Sequence, residues 1–450
     1  MRSVVLVRGR VAIGLLVLVA LAEALAVVGG HDEWLGETSA TASRLGQGLL
    51  LAAPATAAAG AWLTCQQHHD GFRMLAATAV VDRITIWRRA IVEVSAVAVL
   101  GFLVAASLAH AWTAAVSGAL RPSLSMTVAY GGFLVCFAVA GSLLGRIQWP
   151  MLAVPLAAVG SYLVLGTLVY LAPRYLAALT PFDTRSMTYY RIPWWISLTQ
   201  AVFLLAVAGV GYFAFSASRG RLVSCAWLAS LSAAALLFVG TANRVFDVPA
   251  AELSCSEAAG VEVCLPRVKA FNTATVRDVV LDVRATLPGL VPERIALIDD
   301  EAAGVDHTID EELAGAQRRA SSAGALTLTS STAGILGSDA RVDRNRLVVT
   351  LAHQFIGLPR GDLSIPGSSL SRGTPSDFLL RYTLEELDIP TDGSAFPAAP
   401  VVDAGHVDYS ESPVSIDEFA DWSRARKSAW FAEHRAEIAN GSLQWDDFTQ

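Results

Sequence analysis

The sequence predicts an all-α polytopic membrane bundle of about seven transmembrane helices, residues 1–241, followed by a mixed α/β extracytoplasmic domain, residues 242–450. Three observations predict it. Of 450 residues, 54% are hydrophobic and only 16% charged, with a mean hydropathy of +0.48, far from a soluble average. The apolar residues gather into runs long enough, at 1.5 Å per residue, to cross a hydrocarbon core of roughly 30 Å. The charge also reverses: through Thr241 there are 15 Arg and no Lys against 8 acids, and from Ala242 onward 18 basic against 32 acidic residues. An acidic module of that balance argues against a nucleic-acid partner.

The first run, Val11 to Val28, follows Arg2, Arg8 and Arg10. That order also suits a signal peptide, with Ala24-Leu25-Ala26 as a small-x-small site. The run is longer than such peptides usually carry, so it reads as a retained first span. The second span, 47–64, is dense in Ala and Gly with Pro54 inside; small residues let helix backbones approach closely, which predicts a central position. Further spans fall at 90–114, 124–144, 151–172, 196–216 and 222–241. The last carries no charge and decides the compartment of everything after it.

Arginine placement sets the orientation. Arg2, Arg8, Arg10, Arg73, Arg83, Arg88 and Arg89 lie before the first span or between the second and third, whereas the first outer loop has Arg44 alone. That excess predicts a cytoplasmic N-terminus, and an odd number of spans then puts residues 242–450 outside, in a multi-pass plasma-membrane protein. Tyr189, Tyr190, Trp194 and Trp195 read as an interfacial aromatic belt.

Cys65, Cys136 and Cys225 lie in or beside apolar runs and read as small hydrophobes. Cys255 and Cys264, nine apart just after the last span, predict a disulfide in an exported domain, with a free pair as the alternative. Beyond them, helical spacing at 276–287, a strand-like run at 294–298, an apolar segment of undecided type at 347–356 and a helix at 377–387 give the mixed α/β reading. The best helix is 415–439, with Ser415 as cap, Asp417 and Glu418 in its first turn, Phe419, Trp422, Trp430 and Phe431 as its apolar stripe, and Gly441 past its end. Residues 361–376 and 392–400 read as loops.

The chemical motifs mostly exclude. No G-x-x-x-x-G-K-[ST] occurs, so the chain carries no phosphate-binding loop of its own, and no G-x-S-x-G elbow occurs to anchor Ser-His-Asp hydrolysis. Leu351-Ala352-His353-Gln354-Phe355-Ile356-Gly357 is one imidazole short of H-E-x-x-H and has Gln in place of the Glu, leaving a structural helix or a relic of a metallopeptidase. The acids of 299–312 lack the ordered spacing of a Ca²⁺ loop and read as a solvated face. No cofactor or metal is expected and the chain is not read as an enzyme. Glu23 and Glu93 lie in or near the first and third spans, where a carboxylate is costly and by default suggests function. Glu93 is near enough to the cytoplasmic end to reach Arg88 or Arg89.

Residues 57–62 (Ala-Ala-Ala-Gly-Ala-Trp), 70–78 (Asp-Gly-Phe-Arg-Met-Leu-Ala-Ala-Thr), the Cys255 to Cys264 segment and the tail Trp430 to Phe448 resemble membrane subunits of actinobacterial ABC-type transporters, in which a six- or seven-span permease precedes an extracytoplasmic domain. The resemblance implies a permease-like subunit, for export, driven by a separate ABC-type ATPase in a homo- or hetero-oligomer. It further implies that the segment between spans two and three, Phe72, Arg73, Met74, Leu75 and Thr78, couples to that ATPase. A seventh span departs from the usual six. The alternative class is a membrane-anchored binding, sensor or scaffold protein, with or without a dead metallopeptidase-like domain.

Overall fold

A computed structural model describes residues 2–29, 34, 36–67, 83–117, 123–147, 149–168, 179–181, 190–214, 219–239, 245–246, 252–299, 326–330, 342, 344–356, 374–389 and 414–448. The chain divides into two compact units, Met1–Val248 and Pro249–Gln450.

The first unit is helical. Its helices are α1 (Arg2–Val28), α2 (Thr38–Gln66), α3 (Arg83–Ser117), α4 (Leu124–Leu144), α5 (Pro150–Gly166), α6 (Trp194–Phe213) and α7 (Arg219–Val239). Among the described residues, six are long and apolar enough to cross a membrane. Of the expected fifth span, 151–172, the described residues hold the 17-residue helix α5, and 169–172 lie outside them. The third span runs well past the expected 90–114: at 35 residues α3 extends about 52 Å, longer than a hydrocarbon core, so its polar Arg83–Arg89 end projects beyond the apolar stretch.

Helix α2 is the hub, packing against α1, α3, α4 and α5. Its small residues explain why. Helices α2 and α4 run parallel in a seam where backbone meets backbone: a β-carbon on Gly145 would lie 2.5 Å from the Ala61 carbonyl oxygen, and one on Gly60 would lie 2.7 Å from that of Ala138. Gly141 is tighter still against Ala57, which is fully buried. The seam is a small-xxx-small pair, Gly141/Gly145 against Ala57/Ala61, which lets two helices in lipid gain dispersion contacts and backbone proximity without a hydrophobic driving force. Cys65 at the end of α2 donates to the Gly145 carbonyl (3.2 Å), so both helices finish at one end of the bundle.

Helix α7 packs principally on α6 and exposes Trp227, Leu231 and Phe238, as a helix facing lipid would. The two are antiparallel: Ile196 and Leu236 share one buried cluster, and the short strands β1 (Tyr190–Arg191) and β2 (Val245–Phe246) pair just beyond those ends. The starts of α3 and α7, with Arg88, Arg89, Arg219 and Arg221, therefore share an end with the finish of α4, where Arg146 lies.

The second unit is a mixed α/β domain. Strands β3 (Leu253–Ala258) and β4 (Val261–Pro266) form an antiparallel hairpin, and β5 (Arg294–Asp299) and β6 (Leu326–Ser330) extend it in parallel, in the order β3-β4-β5-β6. Ala259 and Gly260 both take positive φ, 51° and 72°, the two-residue turn whose twist suits a hairpin. Helix α8 (Thr273–Thr286) crosses from β4 to β5 and buries Val276, Val279, Val280 and Val283 against the sheet side of the core. The undecided segment at 347–356 is helical, α9 (Arg344–Phe355), and α10 (Pro375–Glu386) begins at a capping box between Thr374 and Asp377.

The long helix expected at 415–439 is instead three, α11 (Ile416–Ala420), α12 (Arg424–Glu433) and α13 (Arg435–Ala439). Ser415 caps the first, as its sequence suggests, accepting from the Glu418 amide (3.1 Å), but Ser423 then caps a second by accepting from Arg426. The break lets aromatic residues from both pieces reach one centre: the Phe419 ring meets Trp430 at 5.5 Å, Tyr382 at 4.9 Å and Phe448 at 5.8 Å. Lys427 bridges it, donating to the Ala420 carbonyl (2.6 Å) and to the Tyr382 hydroxyl (3.0 Å). Burial, and then the nearby Glu386 charge, raise the Tyr382 hydroxyl above the usual phenol range, so it remains neutral and accepts that bond.

Candidate functional site in the membrane unit

Polar side chains buried inside an apolar bundle have to be accommodated there, and they mark where such a bundle does more than anchor. In this unit they concentrate where the end of α1 meets the first half of α2, the last third of α3 and the start of α4. Glu23 of α1 is 0% exposed, and among the described residues neither of its carboxylate oxygens has a hydrogen-bond partner. Gly48 of α2 makes its place: any β-carbon there would collide with the Glu23 carboxylate, and would stand 3.0 Å from the Glu23 Cα.

Two residues earlier on α2, Gly46 makes room for Tyr130 of α4, whose hydroxyl would lie 2.7 Å from a β-carbon at that position. Tyr130 is buried with its ring edge-on to Phe102 of α3 (5.8 Å), its hydroxyl is without a partner among the described residues, and it lies within electrostatic range of Glu23. Toward the end of α3, Thr113 meets Thr41 of α2 at 2.7 Å. Thr41 already donates to the Glu37 carbonyl (2.6 Å), so Thr113 is the donor between the two hydroxyls. His110 faces the Ala106 carbonyl through Nδ1 (2.8 Å); a carbonyl only accepts, so Nδ1 carries the proton and the buried Nε2 is left as an acceptor. Trp34 closes this end, donating to the Val27 carbonyl (2.9 Å) and standing edge-on to Trp112.

A carboxyl with two unsatisfied oxygens in an apolar interior can hold a proton or coordinate a cation.

The other expected residues lie elsewhere. Glu93 is exposed near the start of α3, at the far end of the bundle from Glu23, so the two carboxylates form no common site. Phe72, Arg73, Met74, Leu75 and Thr78 lie outside the described residues, as do the acids of 300–312. His353 and Gln354 lie on α9, with side chains outside the described set. Cys255 and Cys264 are joined, S–S 2.08 Å, as directly opposed residues of the β3–β4 hairpin. Glu262 is the third possible metal ligand beside them, but it pairs with Arg294 at 2.9 Å, and bonded sulfurs offer no thiolate.

Sequence reasoning missed Tyr130 and the threonine pair. Neither carries a motif, although Gly46-x-Gly48 within a hydrophobic run is the signal of a close approach. Comparison with protein-family models, with curated proteins and with solved structures finds no match for this chain.

Proposed function

We propose that this chain is a transport subunit of the plasma membrane, permease-like in the ABC sense and driven by a separate ATPase. The observation that carries the reading is the polar interior around Glu23. Attachment to a membrane requires one apolar helix, whereas among the described residues this unit contains six of spanning length. It also buries a carboxyl and two threonines at 0% exposure where they meet no solvent. A bundle that only anchored a domain would gain by replacing those groups with apolar ones. The chain has no phosphate-binding loop, so on this reading the ATPase is a separate subunit.

Orientation follows from charge and chemistry together. The bundle end that bears Arg88, Arg89, Arg146, Arg219 and Arg221 is the cytoplasmic one on the positive-inside rule. Helix α7 starts at that end, so the chain leaves the bundle on the opposite side, and the Cys255–Cys264 disulfide suits an oxidising exterior. On this reading α5 is the seventh crossing. On the same reading the segment between α2 and α3 is cytoplasmic and receives force from the ATPase. Replacing Phe72 and Leu75 with Asp tests it: the double variant is expected to reach the membrane at wild-type level and to lose the co-purifying ATPase. Retained association would refute the coupling role.

A second reading is favoured by the outer unit, which has its own sheet and a closed aromatic core. In that reading the domain binds a partner or ligand, the bundle is its platform, and no ATPase accompanies it.

A further inference from the structure

At the basic end of the bundle, α3, α4 and α6 enclose an apolar groove of about 450 Å³. Ile91, Val92, Ala96, Val135, Leu205 and Ala208 line it, and Val92, Ala96 and Leu205 are exposed, so it opens sideways into the hydrocarbon of the bilayer. Its lining on α3 runs from Ile91 to Val99, about 12 Å of helix, a length suited to a run of methylenes.

Tyr212 closes the groove at the end where the arginines gather. Its ring stacks on Trp87 (6.4 Å, 23° between planes) and stands edge-on to Phe213 (5.1 Å). Three guanidinium groups surround these rings. Arg88 lies 5.2 Å from the Tyr212 centroid and 5.9 Å from that of Phe213, Arg221 lies 5.8 Å from Phe213, and Arg146 lies 5.3 Å from Trp87. A ring face holds the Arg88 cation in place and leaves the edge of its guanidinium to act as donor. The Nε and Nη2 of Arg88 are buried and have no hydrogen-bond acceptor among the described residues. Glu93, the carboxylate of α3 in this region, is five residues from Arg88 and thus on a different face of the helix.

We propose that this groove and arginine cluster form a binding site for an anionic phospholipid, with an acyl chain between α3, α4 and α6 and the phosphate on Arg88, supported by Arg221. A guanidinium donates two parallel hydrogen bonds to phosphate oxygens, and basic pockets between membrane helices on the cytoplasmic side suit such headgroups. A free anion would use the arginines alone; the apolar groove selects the lipid form. The site is independent of any ATPase and does not rest on the transport reading.

The test uses the full-length protein in mild detergent, incubated with an equimolar mixture of phosphatidylglycerol and phosphatidylcholine of identical chains, with retained lipid counted by native mass spectrometry. The site predicts phosphatidylglycerol retained about fivefold over phosphatidylcholine, the increment expected for one arginine at a lipid phosphate. Arg88→Gln should remove that preference. Ala96→Phe, which fills the groove, should lower retention of both lipids alike, and Arg219→Gln, an exposed arginine at the same end but outside the cluster, should change neither. Inorganic phosphate should fail to displace the lipid. Equal retention of the two lipids by the wild type would overturn the proposal. So would a loss with Arg219→Gln matching that of Arg88→Gln, or displacement by inorganic phosphate alone. Should Arg88→Gln not yield monodisperse protein, Arg221→Gln carries the same comparison with the same outcomes.

Discussion

The α2–α4 seam gives the sharpest quantitative expectation. Gly141 faces Ala57 so closely that a β-carbon added to it would lie 2.6 Å from both the carbonyl carbon and the Cα of Ala57, and nearer still to the carbonyl oxygen. Ordinary contact starts at 3.4 Å, so Gly141→Ala forces the two backbones apart by at least about 0.8 Å. The atoms in the way are backbone, with no rotamer able to relieve the clash. Gly145 and Gly60 contribute to the same seam, so opening it at one position withdraws close contacts at the others. Overpacking of this kind costs about 1–3 kcal/mol, and the rigid neighbours place this case toward the upper end. In a unit of this size that corresponds to a fall in unfolding midpoint of about 5–10 °C, followed by tryptophan fluorescence of the full-length protein in detergent. Gly160 is the internal control, because nothing lies within 4 Å of its added β-carbon. Gly160→Ala should be neutral or slightly stabilising through its better helix propensity. A Gly141→Ala protein that melts with the wild type and with Gly160→Ala would refute the close-packed seam.

Other expectations concern the polar interior and the second unit. Glu23→Gln keeps the side-chain volume and removes no hydrogen bond seen among the described residues, so stability should stay within about 1 kcal/mol of wild type. A hydrophobic carbodiimide, which adds to a protonated carboxyl, should label the wild-type protein at Glu23 and leave Glu23→Gln unlabelled there; a peptide map without Glu23 labelling would show a carboxyl that is ionised or shielded. Replacing Cys255 and Cys264 together with Ser removes a cross-link with a sequence separation of 9, expected to cost the second unit about 2–3 kcal/mol in denaturant titration, and an unchanged midpoint would contradict the bridge's role. Phe419→Ala, at the centre of the aromatic cluster and fully buried, should cost about 3–5 kcal/mol by the same titration, more than any single residue on its rim.

Much of the membrane unit was legible because length and hydropathy are properties of the chain itself. The run 124–144 coincides with α4 residue for residue, and the Ala- and Gly-rich second span is the helix that touches four others. Limits of this reading appear wherever long-range contacts decide. Helix α3 begins before the expected 90: Arg83, Arg88 and Arg89 end the apolar run, but Trp87 packs in one buried cluster with Ile91, Val139 and Ala208, so tertiary contacts carry the helix past it. In the second unit the strands around Cys255 were hidden by an Ala-Gly turn, which lacks the Asn-Gly signature, so the sequence does not show that the two cysteines face each other across a ladder. The stretch 415–439 has helical spacing throughout, but Ser423 offers a second cap and Phe419 draws rings from both sides, so tertiary packing overrides local propensity. Glu23 was visible as a costly residue, whereas its companion Tyr130 depends on which face of α4 meets α2. The Arg88 cluster joins residues from three helices and the turn after α4, and has no signature in any one of them.

The most direct test of the transport reading is affinity isolation of the tagged full-length protein from native membranes in mild detergent, with co-purifying proteins identified and nucleotide hydrolysis assayed. The account predicts a stoichiometric ATPase whose presence depends on Phe72 and Leu75. A clean, hydrolytically silent preparation containing this chain alone would contradict it and leave the outer domain as the working part of the molecule.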